Sequence, residues 1–446
     1  EGRKGLGVSV PLSFNLIFLD YKSIYRRKYR LQILDFQWLK SLVRRGSMSK
    51  QILIVLGILL VFGCADVSKE NQLQTGCSEG SESTPENVYV APAPNPAPTD
   101  TNAEPYPASI FAGDKHTCAL FSDGTIKYWG LNSAGQLGDN STTDRLTPVS
   151  VSGITNATDM SAGMYHSCAL LSNQTIKCWG SNNFGQLGDG TGVNKSTPIS
   201  VSGITNATSI SVGGYHSCAL LSNQTIKCWG HNSYGQLGDN STASLVANPV
   251  LVSGLTNANS VSVGTNHTCA ILSDKTIKCW GDYSYGQLGT GASITGSKSL
   301  TPVSVSSITN ALSLANRVYQ HNCAILEDSS LKCWGHNLNY NLGDGTKLNR
   351  YSPVTPTGVA PASSVAIGTN RTSIISDGSI YYWGDNTVQT PRLFSGVSSA
   401  VDIANGDDYS CALLSDKTVN CWGANSSGQL GDGTTTNRST PVTVQF

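Results

Sequence analysis

Residues 166–190 read His166-Ser-Cys-Ala-Leu-Leu-Ser-Asn-Gln-Thr-Ile-Lys-Cys-Trp-Gly-Ser-Asn-Asn-Phe-Gly-Gln-Leu-Gly-Asp-Gly190, and the phrase returns almost unchanged from His216. It recurs from His116, from His267 and, more divergent, from His321. Decayed copies run through Trp383 and Trp422. The tryptophan marks each copy: Trp129, Trp179, Trp229, Trp280, Trp334, Trp383 and Trp422, spaced 50, 50, 51, 54, 49 and 39 residues apart. A period of this size belongs to solenoids, propellers and arrays. Within a copy, four short β-branched or apolar runs alternate with Gly/Asn/Ser/Asp clusters, and no 3.6-residue period is sustained. Seven four-stranded units, none able to bury its faces alone, predict an all-β, seven-bladed β-propeller over 105–446.

The phrase H-[ST]-C-A-L…W-G-x-N-x-x-G-Q-L-G-[DT]-[GN] resembles the regulator of chromosome condensation repeat, whose members form seven-bladed propellers. That family includes a nuclear guanine-nucleotide exchange factor, eukaryotic scaffolds and exported bacterial propellers that clamp protein partners. The resemblance is specific for fold, whereas function on a widely used fold has to be argued from sites.

The chain ahead of the repeats has three parts. Residues 1–47 carry ten Lys/Arg and three Asp/Glu, a net +7, and have no likeness to the repeats. Met48 is followed by Ser-Lys-Gln and an apolar run from Ile52 to Phe62 ending in Gly63-Cys64, the pattern of a lipoprotein signal peptide over 48–63. Such a run is too short to span a bilayer. The pattern predicts a translation start at Met48, the lipid on Cys64, and 1–47 as an untranslated or non-native extension, the alternative being a genuine basic extension. Residues 64–104, with Ala91-Pro-Ala-Pro-Asn-Pro-Ala-Pro, read as a Pro/Ser-rich stalk. From Cys64 onward 18 Lys/Arg face 26 Asp/Glu, so that part carries 18 − 26 = −8. It lacks the basic footprint of a nucleic-acid binder.

Thirteen cysteines fit export. Ten of them stand in pairs ten residues apart: Cys168 with Cys178, Cys218 with Cys228, Cys269 with Cys279, Cys323 with Cys333, and Cys411 with Cys421. The members of each pair face each other across a three-residue hairpin, which predicts five within-blade disulfides. Unit six lacks both cysteines, with Thr372 and Tyr382 at the matching positions. Cys64 takes the lipid, and Cys77 is expected to pair with Cys118. Two cysteines per blade cannot make a four-ligand zinc site.

The repeated polar residues read as structural. His116, His166, His216, His267 and His321, with Asn370 and Tyr409 in the other two units, are spread around a ring rather than converging on a metal or substrate. Asp139, Asp189, Asp239, Asp344 and Asp432 suit turns. The glycines of Gly-Gln-Leu-Gly lack the lysine of a phosphate loop. No catalytic, metal or cofactor site is expected.

Loop parity puts the loop before the His strand and the loop after Trp-Gly on one face. Tyr165 and Tyr215 lie in the former; Phe184, Tyr234, Tyr285 and Tyr340 lie in the latter. Such an arc suits protein binding, and equally suits packing against the next blade. The leading expectation is therefore a monomeric, non-enzymatic, lipid-anchored scaffold on the bacterial cell envelope, facing periplasm or exterior and holding an extracytoplasmic protein. Glycan or cell-wall polymer binding is one alternative, and nucleotide exchange by family likeness is another.

Overall fold

The computed structural model describes residues 104–291, 296–316 and 320–446. These form seven four-stranded antiparallel sheets, each built from four strands consecutive in sequence. The blades run Pro107–Ser150, Ala157–Ser200, Ala207–Leu251, Ala258–Ser304, Ala311–Val354, Ser364–Phe394 and Ala400–Thr443. The expected signal peptide, the expected lipid site Cys64, the expected stalk apart from its last residue, and Cys77 lie outside the described residues. No helix among the described residues is long and apolar enough to cross a membrane.

In each blade the first strand packs beside the first strand of its neighbours around the central axis. The second strand, such as His166–Leu171, is buried along its whole length. The fourth, such as Lys195–Ser200, lies outermost and is half-exposed. Seven apolar clusters, one per blade junction, hold the ring together. Each is built from one face of a blade and the tryptophan of the next. This is why seven modest sheets are stable only as a stack. Blade seven meets blade one through the same kind of contact, and no strand is exchanged. Ile110 donates its backbone N–H to Asp402, while Trp129 Nε1 donates to the Gln429 carbonyl at 2.9 Å.

The five within-blade disulfides are present, with paired Cα atoms 4.0–4.1 Å apart: Cys168–Cys178, Cys218–Cys228, Cys269–Cys279, Cys323–Cys333 and Cys411–Cys421. Each joins a second-strand cysteine to the third-strand residue directly opposite it in register. The third-strand members Cys178, Cys228, Cys279, Cys333 and Cys421 each immediately precede the blade's tryptophan and are fully buried. The ten residues therefore brace the sheets and contribute nothing to a surface. In blade two the hairpin between them has three residues, Ser172-Asn173-Gln174, with Gln174 at φ +63°. Cys118 is buried opposite Tyr128. Its expected partner, Cys77, precedes the described residues, so that sixth pairing falls outside them. Five disulfides place the propeller in an oxidising, extracytoplasmic setting.

Blade six corrects the sequence alignment by one residue. Arg371, rather than Asn370, occupies the histidine position, and Ser373, rather than Thr372, lies opposite Tyr382. The cause is its hairpin. Asp377 (φ +47°) and Gly378 (φ +70°) form a two-residue turn with Ser376 paired to Ser379. Two positive φ values mark the tight turn favoured by Asp-Gly. Counting ten residues across it therefore overshoots by one.

Candidate protein-binding face

Six of the seven blade junctions are each built around one carbonyl. The Gln136 carbonyl, in the Trp-Gly loop of blade one, accepts from Trp179 Nε1 at 2.9 Å and from Ser167 Oγ at 3.0 Å, both on blade two. Gln186 receives Trp229 and Ser217, Gln236 receives Trp280 and Thr268, and Gln287 receives Trp334 and Asn322. Asn341 serves Trp383 and Thr372, and Gln429 closes the ring on Trp129 and Thr117. The following leucine, Leu137, Leu187, Leu237, Leu288, Leu342 or Leu430, is fully buried in the cluster of the same tryptophan. The next glycine lies against the indole. At Gly188 (φ +69°) a Cβ would stand 2.8 Å from Trp229 Nε1.

The histidines extend this network. His166 Nε2 meets Ser217 Oγ at 2.9 Å, His216 meets Thr268 at 2.8 Å, and His321 meets Thr372 at 2.9 Å. Since each hydroxyl spends its proton on the loop carbonyl, Nε2 is the donor, and burial, which disfavours the charged form, keeps the rings neutral. At the same position in blade four, His267 Nε2 donates to Asn322 Oδ1. Burial pushes His166 and His321 down to about 3. Blade seven substitutes Tyr409, whose hydroxyl donates to the His116 carbonyl at 2.6 Å and lies 3.1 Å from Thr117 Oγ1. His166, His216, His267 and His321 are therefore inter-blade fasteners.

The loop aspartates are likewise structural. Asn132 is a hub: its amide donates to Asp139, Ser141 and Thr143, and its oxygen accepts from the Leu137 N–H. Asp139, Asp344 and Asp432 also pair with Arg145, Arg350 and Arg438. At Asp432, burial works to raise the carboxyl, but donors from Thr434, Arg438 and Asn425 outweigh it and hold it low.

The Trp-Gly loops and the loops before the second strands share one face, where backbone bonds such as Ser181 N–H to the Tyr165 carbonyl join them. The predicted aromatics do not behave alike there. Phe184 packs on the next blade, with its ring 5.4 Å from Tyr215 and 4.7 Å from His231. Tyr234 continues that cluster at 6.1 Å from His231 and is exposed (38%). Tyr285 sits edge-on to His336 at 5.1 Å, and Tyr340 lies under the Lys347 ammonium. All but Tyr234 are half-buried. The arc is thus inter-blade packing at its base and a half-exposed aromatic surface at its rim.

Sequence reasoning missed His231 and His336. Both immediately follow Trp-Gly, where other blades have Leu131, Ser181, Asp282 or Ala424, and that exchange was the available signal. His231 Nδ1 accepts from the Gln236 amide at 2.8 Å. Tyr165 stands beside an acidic patch: burial, then Asp114, Tyr215 and Asp407, push its phenol up. Asp408 is also raised, by burial first and then by Asp407 and Asp385.

The RCC1-like domain model matches residues 25–369, and RCC1 repeat models match 400–429 and 418–446. Among curated proteins, human probable E3 ubiquitin-protein ligase HERC6 is 30% identical over 209 residues, covering 42% of this chain and 20% of that protein. Human HERC4 is 30% identical over 203 residues, covering 42% of this chain and 19% of that protein. The chain thus spans about a fifth of the length of these relatives. Among solved structures, human WBSCR16 superposes with a TM-score of 0.65 at 19% identity, covering 72% of this chain and 95% of that one. Yeast RCC1 (Prp20), bound to Kap60, gives 0.61 at 21% identity, covering 70% and 81%. At such identities the likeness is one of fold. Seven blades, their shared Trp–carbonyl junctions and the matched models agree: this chain belongs to the regulator of chromosome condensation (RCC1) repeat family.

Proposed function

We propose that the protein is a non-enzymatic binding scaffold, held to the bacterial envelope by a lipid on Cys64, that presents the Trp-Gly-loop face to an extracytoplasmic protein partner. The observation that carries the reading is the aromatic rim over blades two to five: Phe184, Tyr215, His231 and Tyr234 in one cluster, Tyr285 and His336 in a second. Rigid, half-buried aromatics on a disulfide-braced frame lose little entropy on binding, and such residues dominate binding energy at protein interfaces. The acidic patch near Tyr165 favours a partner with a basic or polar complement.

Tyr234→Ala and Tyr285→Ala should each weaken partner binding by about 1–3 kcal/mol while leaving stability nearly unchanged for Tyr234. Gln174→Ala and Gln224→Ala, in hairpins on the opposite face, serve as controls. Proteomic capture on the full chain supplies the partner, and titration of the variants supplies the affinities. Loss of binding in the hairpin variants alone would move the interface to the other face. Capture of polysaccharide in place of protein would establish the glycan reading.

A further inference from the structure

The junction between blades six and seven lacks the segment that fills the other six. In blade two, residues 181–194 connect Gly180 to the fourth strand; in blade six, residues 385–387 connect Gly384 to Val388. No Gly-Gln-Leu-Gly sequence follows Trp383. The cluster around Trp422 accordingly contains no loop leucine, and Trp422 is 6% exposed where the other six blade tryptophans are at 0%. A cavity of about 200 Å³ opens there, lined by Trp422, Phe394, Ile380, Ser410, Arg371 and Arg438 among others. Engineered apolar cavities of about 150 Å³ hold a benzene ring, so a leucine-sized group has room.

We propose that this slot docks a Gln-Leu-Gly-like loop donated by a protein partner: an extended, uncharged segment contributing one backbone carbonyl and one leucine-sized side chain. The six filled junctions are the template. In each, one carbonyl takes the indole N–H and the neighbouring Ser, Thr or Asn donor, while leucine enters the apolar cluster. Trp422 Nε1 and the Ser410 hydroxyl proton occupy those two donor positions and have no acceptor among the described residues. Ser410 Oγ already accepts from Arg371 Nη1 at 3.3 Å, as its counterparts accept from a histidine. Phe394 stacks on the indole at 4.5 Å and supplies part of the missing leucine's apolar cover.

Charge distinguishes this occupant from an anion. Arg371 is paired with Asp385 and Arg438 with Asp432, so both guanidiniums are already neutralised. What remains unmatched is two neutral donors over an apolar floor, which suits a peptide carbonyl beside an aliphatic side chain. The slot lies outside the aromatic rim of blades two to five, so it stands or falls independently of that surface.

The test titrates the full chain with the blocked peptide acetyl-Gly-Gln-Leu-Gly-Asp-amide, followed by calorimetry and by protein NMR. Saturable one-site binding is expected, weakened tenfold or more by alanine in place of the peptide's leucine. Trp422→Phe, which keeps an aromatic ring in the cluster and removes the N–H, should weaken it several-fold with an unchanged thermal midpoint. Tyr234→Ala should leave it unchanged, separating this site from the rim. Absence of saturable binding at millimolar peptide would overturn the proposal. So would affinity indifferent to both the leucine and the indole N–H, or inorganic phosphate competing for the slot.

Discussion

The junction between blades two and three and the junction between blades six and seven are made by equivalent strands but finished differently. In the first, Gln186 binds Trp229 and Ser217 through one carbonyl, Leu187 is fully buried, and His166 ties across to Ser217. In the second, the loop is gone, Arg371 replaces the histidine, and Phe394 leans over the indole. Blade six has also exchanged its disulfide for Ser373 opposite Tyr382. The comparison teaches that the sheets and the loops carry separate duties. Strands close the ring even where a loop is deleted, whereas the loop supplies the polar match and the last apolar group at the other six seams.

The largest expected break of this contrast is Leu187→Ala, which should cost about 2–5 kcal/mol by opening the regular junction. Denaturant unfolding measures it; a cost under about 1 kcal/mol would mean the loop leucine contributes little and blade six has lost nothing of weight. Next, replacing Cys218 and Cys228 together by Ser and Tyr, the pair blade six uses, should cost about 2–3 kcal/mol without loss of the fold. Loss of the fold would show that blade six survives by some other compensation.

The histidines give the comparison a pH axis. His166 and His321 sit near 3 when folded, below the ordinary value near 6.5. The unfolded chain therefore binds more protons between these values, so stability is full above about 6.5 and declines as pH falls toward 3. Each histidine should contribute roughly 1 kcal/mol per pH unit to that slope. His321→Asn should flatten the dependence of the urea midpoint between about pH 6 and 4. The smallest effect is a difference between two conservative changes. Trp229→Phe breaks a satisfied bond and should cost about 1 kcal/mol, whereas Trp422→Phe should be close to neutral. Equal costs would mean that the Trp422 N–H is matched after all.

Most of the fold was legible because the determinants are local and repeated. Trp-Gly marks the end of every third strand, and the Cys pairs stand opposite each other because a three-residue hairpin fixes the register. Blade six broke the count at Asp377-Gly378, where a shorter turn shifts everything upstream by one position. Its missing loop was written in the spacing of 39 between Trp383 and Trp422. Spacing alone shows that residues are absent and not what their absence exposes; that required the carbonyl and leucine positions of the other six junctions. The rim was legible as an aromatic arc, but not its division into packed and exposed rings. Phe184 and Tyr215 meet only when two blades are set side by side.

Closure of the ring without an exchanged strand has a topological consequence. Blade seven grips blade one through Gln429, Tyr409 and Asp402, with the same kinds of bond that join interior neighbours. The closing seam is thus chemically like the interior seams that keep their loop, and the order in which the chain visits the blades is a matter of wiring. A linker joining Thr443 to Pro107, with the chain opened between any other two blades, should yield the same hoop from a permuted sequence.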